Sequence, residues 1–548
     1  MKNKIVLIGM SLICSTVVQS QDIQTTEVRV TEEFNPSIPE ASKLNEQASF
    51  ADTLKEDKSQ TYSIKQYHIK ADYKTRPLKA AKVKDESILK LYKSKVSLGL
   101  GDNWNKDISL LHNSKRSQDF NFGLLMHHLS NQYKPTNYQV KNSKNTLYLY
   151  GKKIGASHIY LANFDYDRIT ASYFNTSSSF EEKYFRNRFA YSKISVSAIS
   201  RSNVTDRLIK KVNFFLSDLN EMSENQIHLS ADLANKIAGY PIDIEVELND
   251  YLNYNNKDSK YDPEEMKELH FVPQTNFDRF GMNFHAGFNL HYDRDGVAIS
   301  PIINATKEFV KNILWVHGGI RHTEQRNTLK SLGDENPYIH SFGTNQSILT
   351  DNTLLQTLTT TSKDELYLTM RNVLGKDEVF EGTIAYAKVK NFANFFAVDN
   401  NEYNRFLIDY LDVSQMHISA NYERILNNML SVNVQANYFN WNKEVYYKPN
   451  LRVDVSTPIN LRDKIKAVPS ISYLGNRMTY SKNLLDSELG MTNELSGQLH
   501  ANLMVQYIYT KILSAYLQFN NLTNSNEFLF EGYQEIGFNA VFGVNYSF

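Results

Sequence analysis

The chain ends on Ile536-Gly537-Phe538-Asn539-Ala540-Val541-Phe542-Gly543-Val544-Asn545-Tyr546-Ser547-Phe548. Counted back from Phe548, every second residue is apolar: Phe548, Tyr546, Val544, Phe542, Ala540, Phe538 and Ile536. The interleaved residues are small or polar apart from Val541. Successive side chains of a strand point to opposite faces. One face of this segment therefore suits lipid, with rings near both ends, and the other suits a wet or filled lumen. A half-buried strand of a soluble sandwich needs the same alternation, so this segment alone does not decide.

Repetition decides. Met282, Phe284, Ala286, Phe288, Leu290 and Tyr292 alternate with Asn283, His285, Gly287, Asn289 and His291. Leu430, Val432, Val434, Ala436 and Tyr438 alternate with Ser431, Asn433, Gln435 and Asn437. Leu499–Tyr507 and Leu513–Phe519 repeat the pattern. A soluble sheet turns Lys and Glu outward. Here the polar face carries Asn, Gln, His, Ser and Gly, as a lumen wall does. The reading is an all-β fold, a transmembrane antiparallel β-barrel over residues 93–548.

The totals agree. The 548 residues carry 60 Lys and Arg against 60 Asp and Glu, so the basic footprint of a nucleic-acid binder is missing. Mean hydropathy is −0.47, and no run beyond the N-terminus is long enough for a spanning helix. Low hydropathy suits a barrel, because half of each strand is polar. The 34 Tyr and 30 Phe against 3 Trp fit strands and bilayer interfaces.

Residues 1–20 read as a signal peptide, with Lys2 and Lys4 before the apolar stretch Ile5 to Val18 and cleavage after Ser20. The only cysteine, Cys14, falls within it, so the mature chain is expected to hold no disulfide and no thiolate metal site. Residues 21–92 are polar and lack period-2 alternation. They read as an extended periplasmic segment, a partial plug or a tether.

In barrels of this kind the C-terminus is periplasmic, periplasmic turns are short and outer loops long. Short turns fall near Tyr509–Lys511, Leu461–Lys464, Glu423–Asn427, Gly375–Asp377, Ala305–Val310 and Ala238–Tyr240. Long connections fall at Asn521–Glu535, Tyr480–Glu494, Phe392–Leu411, His322–Lys363 and Leu252–Lys267. Asp293–Asp295 is a tight outer connection. Assigning Ile169–Tyr173 to an outer loop makes the strand count even, at about 22 within a range of 16–22.

Leu513–Phe548, with Tyr516-Leu517-Gln518-Phe519-Asn520-Asn521-Leu522-Thr523-Asn524 and Gly537-Phe538-Asn539, resembles the end of TonB-dependent receptor barrels of the Bacteroidota. Tyr446-Tyr447-Lys448-Pro449-Asn450-Leu451 is similar to the same group. The resemblance runs over about Glu365–Phe548. It implies transport across the outer membrane of a Gram-negative bacterium, and barrel-assembly machinery that reads Tyr546 and Phe548 as a sorting signal. Family members carry a folded plug, for which residues 21–92 are too few. Glu27, Val28, Arg29 and Val30 resemble a TonB box, a segment that pairs with TonB as an added strand.

No catalytic set, cofactor site or metal spacing is visible, so no enzyme is expected. Adjacent strand residues such as His127 and His128 face opposite ways and do not share an ion. Asp262, Glu264, Glu265 and Glu268 offer oxygens that calcium favours, but they read first as a solvated acidic loop. Asn283, His285, Asn289, His291, Asn433, Gln435, Asn437, Asn539 and Asn545 are the candidate lumen-lining residues. The leading expectation is a channel or transporter; the alternative is a structural or accessory barrel subunit of an assembly, export or uptake complex. Expected partners are outer-membrane lipid, the assembly machinery, and TonB or a periplasmic or surface protein.

Overall fold

The computed structural model describes residues 92–548 apart from 115–116, 136–138, 173–185, 202–207, 221–223, 238, 254–265, 294–295, 340–357, 400–404 and 484–489. The signal peptide, the segment up to residue 91, the candidate TonB box and Asp262, Glu264 and Glu265 lie outside the described residues.

Strands run from Ser94–Gly101 to Asn539–Ser547, each antiparallel to its sequence neighbour around the wall. The last strand also pairs with the first, with Val96 opposite Tyr546 and Gly99 opposite Gly543. The sheet has therefore closed into a barrel of 22 strands, three of them interrupted: Leu451–Ser456 with Ile459–Leu461, Ile465–Leu474 with Arg477–Asn483, and Gly490–Leu495 with Gln498–Ile508. Closure leaves no open edge, which is the condition for a sheet to sit in lipid.

The last strand shows the alternation read from its sequence. Asn539, Val541, Gly543 and Asn545 are buried, while Phe542 and Tyr546 are exposed. Leu98, Leu100, Ile194, Leu366, Leu368 and Ile384 share the outward exposure of Phe542, and together they form an apolar outer surface. At the seam the Tyr516 ring lies flat over two glycines. A Cβ at Gly543 would fall 2.2 Å from the Tyr516 Cζ, and one at Gly99 would fall 2.5 Å from its hydroxyl. Only glycine leaves room for the ring.

The two rims differ. Ser94 and Phe548 share one rim, where Ser94 donates to the Phe548 carbonyl. That rim has short connections, such as Arg279 to Met282 and Gly375 to Glu378. Phe280 (φ 55°) and Gly281 (φ 67°) both adopt the left-handed conformation that a two-residue hairpin requires. The opposite rim carries the long connections, the longest between Arg326 and Thr360.

The structure corrects several sequence-derived boundaries. Ile169–Ser172 is strand, the end of His158–Ser172, paired to Arg186–Ser200. The loop reading rests on an even strand count; the segment is instead part of the wall, where the nearby Asp167 accepts from the Thr146 hydroxyl at 2.7 Å. Phe392–Leu411 is largely a paired hairpin, because Glu378–Asp399 and Arg405–Asn427 continue to Val398 opposite Arg405, past a bulge between Val389 and Phe392. Within Tyr480–Glu494, Arg477–Asn483 pairs with Gly490–Leu495. The turn expected near Ala305–Val310 follows Val310 instead, at 311–313. Glu268 lies on the strand Met266–Arg279 and is buried, bonded to Arg326 and Thr360. It belongs to no solvated acidic loop.

Candidate functional site

The long-loop rim holds the main hydrophobic cluster of the described residues. Its centre is the helix α1, Leu329–Glu335. Thr328 caps the helix: its hydroxyl accepts from the Ser331 amide, and the Ser331 hydroxyl accepts from the Thr328 amide. The buried Glu224, from the wall, accepts from the amides of Leu329 (2.7 Å) and Lys330 (3.3 Å). A carboxylate is favoured there because the first amides of a helix are unpaired and carry partial positive charge. Leu329 and Leu332 face the cluster, and Gly333 lets the Phe189 ring approach to where a Cβ would clash at 2.4 Å.

Beyond α1 the chain is tied to the wall by Asn187, whose Nδ2 donates to the carbonyls of Pro337 (3.0 Å) and Ile339 (2.9 Å). Tyr338 stacks on Tyr533 with ring centroids 3.6 Å apart. Phe406 meets Tyr447 and Phe530 edge-on, each at 5.3 Å. Three connections, those after Arg326, Trp441 and Asn520, thus share one core at this rim with the strand ends that carry Phe395 and Phe406.

Below this cap is a polar knot. The strand Leu314–Arg326 pairs with Gly296–Val310 only from Ile303 opposite Ile320 downward; from Arg321 onward it pairs with Thr360–Gly375 alone. The freed hairpin end brings Glu324 onto the inner face of its neighbours. Glu324 Oε2 lies 3.0 Å from His291 Nδ1, 3.1 Å from His270 Nδ1 and 3.2 Å from Asn289 Nδ2. Its Oε1 lies 2.9 Å from His322 Nε2, whose Nδ1 is 2.7 Å from Asp364. His291 Nε2 is 3.0 Å from Asp293. Nearby, the buried Glu365 is paired with both Arg321 and Lys363.

The inner wall also bounds a cavity of about 910 Å³, lined among others by Arg371, Glu381, Asn433, Gln435, Arg452 and Asp454. Positive and negative groups are interspersed there, and Arg452 Nε bonds Asp454 at 2.8 Å.

The candidate lumen residues fall in distinct settings. Asn289 and His291 belong to the knot. Asn283 donates to Asp278 and His285 bonds Asn276, both on the neighbouring strand. Asn433 and Gln435 border the cavity. Asn437 bonds His417, Asn539 accepts from Asn520, and Asn545 donates to Ser514. Tyr546 and Phe548 stack on the outer surface at the short-turn rim, with ring centroids 5.7 Å apart. His127 bonds Asp107, and His128 bonds Asn145 and Ser130, so the two share no partner. Sequence reading missed His270, Glu324 and His322. What unites them is cross-strand register: the two-residue turn at Phe280–Gly281 sets His270 directly opposite His291.

No protein-family model matches the sequence, and no characterised protein matches it by sequence. Solved structures do match by fold. A point mutant of the ferric enterobactin receptor PfeA of Pseudomonas aeruginosa superposes with TM-score 0.59 at 11% identity, over 83% of this chain and 80% of that one. The siderophore receptor PirA of Acinetobacter baumannii gives 0.60 at 10% identity, over 84% and 81%. The fold is that of siderophore-receptor barrels. The ferric-catecholate import receptor Fiu of Escherichia coli K12 gives 0.56 at 11%, over 84% and 82%. The likeness to TonB-dependent receptor barrels read from Leu513–Phe548 is met at the level of fold.

Proposed function

We propose that the chain is an outer-membrane transporter of a Gram-negative bacterium that takes up a solute from the medium through its lumen. The observation that carries this reading is the closed 22-strand barrel, with described residues of three of its connections packed into a cap at one rim. The fold shared with siderophore receptors supports it. In this reading the long-loop rim faces the medium, and the short-turn rim with Phe548 faces the periplasm. The polar inner wall, with Asn433 and Gln435 among its residues, borders the route. A barrel of this size encloses a lumen that is usually plugged, and residues 21–92 are the segment we assign to filling it. Glu27, Val28, Arg29 and Val30 then engage TonB, and uptake is driven.

Planar-bilayer conductance of the purified full-length protein tests the proposal. The expected record is closed, with currents appearing when residues 21–92 are deleted. Large steady currents from the intact protein refute the filled lumen. Crosslinking at Val28 to TonB in cells is expected, and its absence during active uptake would refute the energised step.

A further inference from the structure

We infer that His270, His291 and Glu324 form a binding site for a transition-metal ion of the zinc class. The reading stands on the geometry of the knot, whatever solute the barrel carries. The three donors converge: Glu324 Oε2 is 3.0 Å from His291 Nδ1 and 3.1 Å from His270 Nδ1, and His291 Nδ1 is 3.4 and 3.3 Å from the two ring nitrogens of His270. Metal–ligand bonds of about 2.0–2.2 Å in a tetrahedron put ligand atoms about 3.3–3.6 Å apart. The triangle seen here needs to open by only a few tenths of an ångström to admit an ion.

The surroundings are those of a metal site. A ligating imidazole characteristically gives its other nitrogen to a carboxylate, which fixes the ring and raises its basicity. His291 does this with Asp293 at 3.0 Å. The second oxygen of Glu324 is held by His322, itself held by Asp364. Asn289 is buried against Glu324 and its Oδ1 has no hydrogen-bond partner among the described residues, so a buried acceptor at the site awaits one. Two imidazoles and one carboxylate select zinc, cobalt or nickel over calcium or magnesium, which take oxygen ligands. Three protein donors leave a fourth position for water or an incoming ligand.

The test uses the tag-free full-length protein in detergent, stripped with a chelator and titrated with Co²⁺ alone. One ion per chain is expected, with the visible absorption of a tetrahedral N/O site, bleached by Zn²⁺ and unaffected by excess Ca²⁺. Asp293→Asn is expected to weaken binding by about 10–100-fold, His291→Ala to abolish it, and His285→Ala to leave it unchanged. Heat-modifiable migration in gels verifies folding of each variant. If His291→Ala does not fold, Glu324→Gln takes its place. A folded wild-type chain that binds no cobalt overturns the inference, as does equal affinity in the His291→Ala or Glu324→Gln variant. Either result would leave the knot as a hydrogen-bonded cluster of three histidines around one carboxylate.

Discussion

Replacing Phe406 by alanine should open the cap while leaving the barrel closed. Phe406 is 1% exposed and is the ring on which Tyr447, Phe530 and Tyr533 converge. Its amide also donates to the Tyr338 carbonyl at 3.2 Å, which ties the chain after α1 to the hairpin ending at Asp399 and Arg405. Truncating a buried Phe costs about 3–5 kcal/mol. At about 1.36 kcal/mol per tenfold, opening of the cap should become roughly two to four orders of magnitude more frequent. The reporters are the amides of Leu332 and Asn336, which donate to Thr328 and Leu332 inside α1. Their hydrogen-exchange protection should fall by that factor. Amides of the strand Thr360–Gly375 low in the wall should keep theirs. Phe542→Ala, which removes an equally large ring from the exposed outer surface, is the control and should change neither. Unchanged protection of Leu332 and Asn336 in Phe406→Ala would refute the view that the three connections and this strand end share one core.

Three further outcomes are expected. Burial pushes the Glu535 carboxyl up to about 7; the neighbouring Glu527 adds to the rise and Arg477 opposes it. The folded connection then holds a proton that the exposed carboxyl releases near 4.5, so its stability is full below about 4.5, falls as pH rises towards 7 and is flat above. Exchange protection around Glu535, corrected for intrinsic rates, should be higher at pH 5 than at pH 8, and Glu535→Gln should remove the difference. Gly543→Val drives a side chain into the Tyr516 ring; overpacking of this kind costs about 1–3 kcal/mol, so the folded fraction in gels should drop, and adding Tyr516→Ala should restore it. Glu224→Ala removes the carboxylate that caps α1 and should lower Leu332 protection by about fivefold, the effect of a lost cap of about 1 kcal/mol.

Alternation along single strands made the barrel legible, because every wall strand must show lipid one face and the lumen the other. The last strand and Met282–Asp293 are read correctly for that reason. Alternation fades where strands rise past the apolar zone. There both faces are polar or both are packed, as at Asp165–Ser172 and at Phe392–Leu411, and sequence patterning takes such strands for loops. The knot was half legible. His291 stands out on its strand, but its partners come from positions 270 and 324, and only cross-strand register unites them. Register follows from turn geometry. Phe280 at φ 55° hides its turn, because a phenylalanine in that conformation carries no turn signal. The placement of Glu324 depends on a further event, the departure of its hairpin from the neighbouring strand after Ile320, which no local pattern announces.

The hairpin of Glu378–Asp399 and Arg405–Asn427 also outruns the thickness of a bilayer. Arg405–Asn427 has 23 residues. At about 3.3 Å per residue it is roughly 75 Å long, and a tilt of about 45° leaves about 53 Å along the membrane normal. The hydrocarbon layer takes about 30 Å of that. The strand therefore exceeds that layer by on the order of 20 Å, and the excess, past the bulge between Val389 and Phe392, packs into the cap through Phe395 and Phe406. In the proposed orientation, an antibody or phage approaching from the medium meets this packed excess of the hairpin.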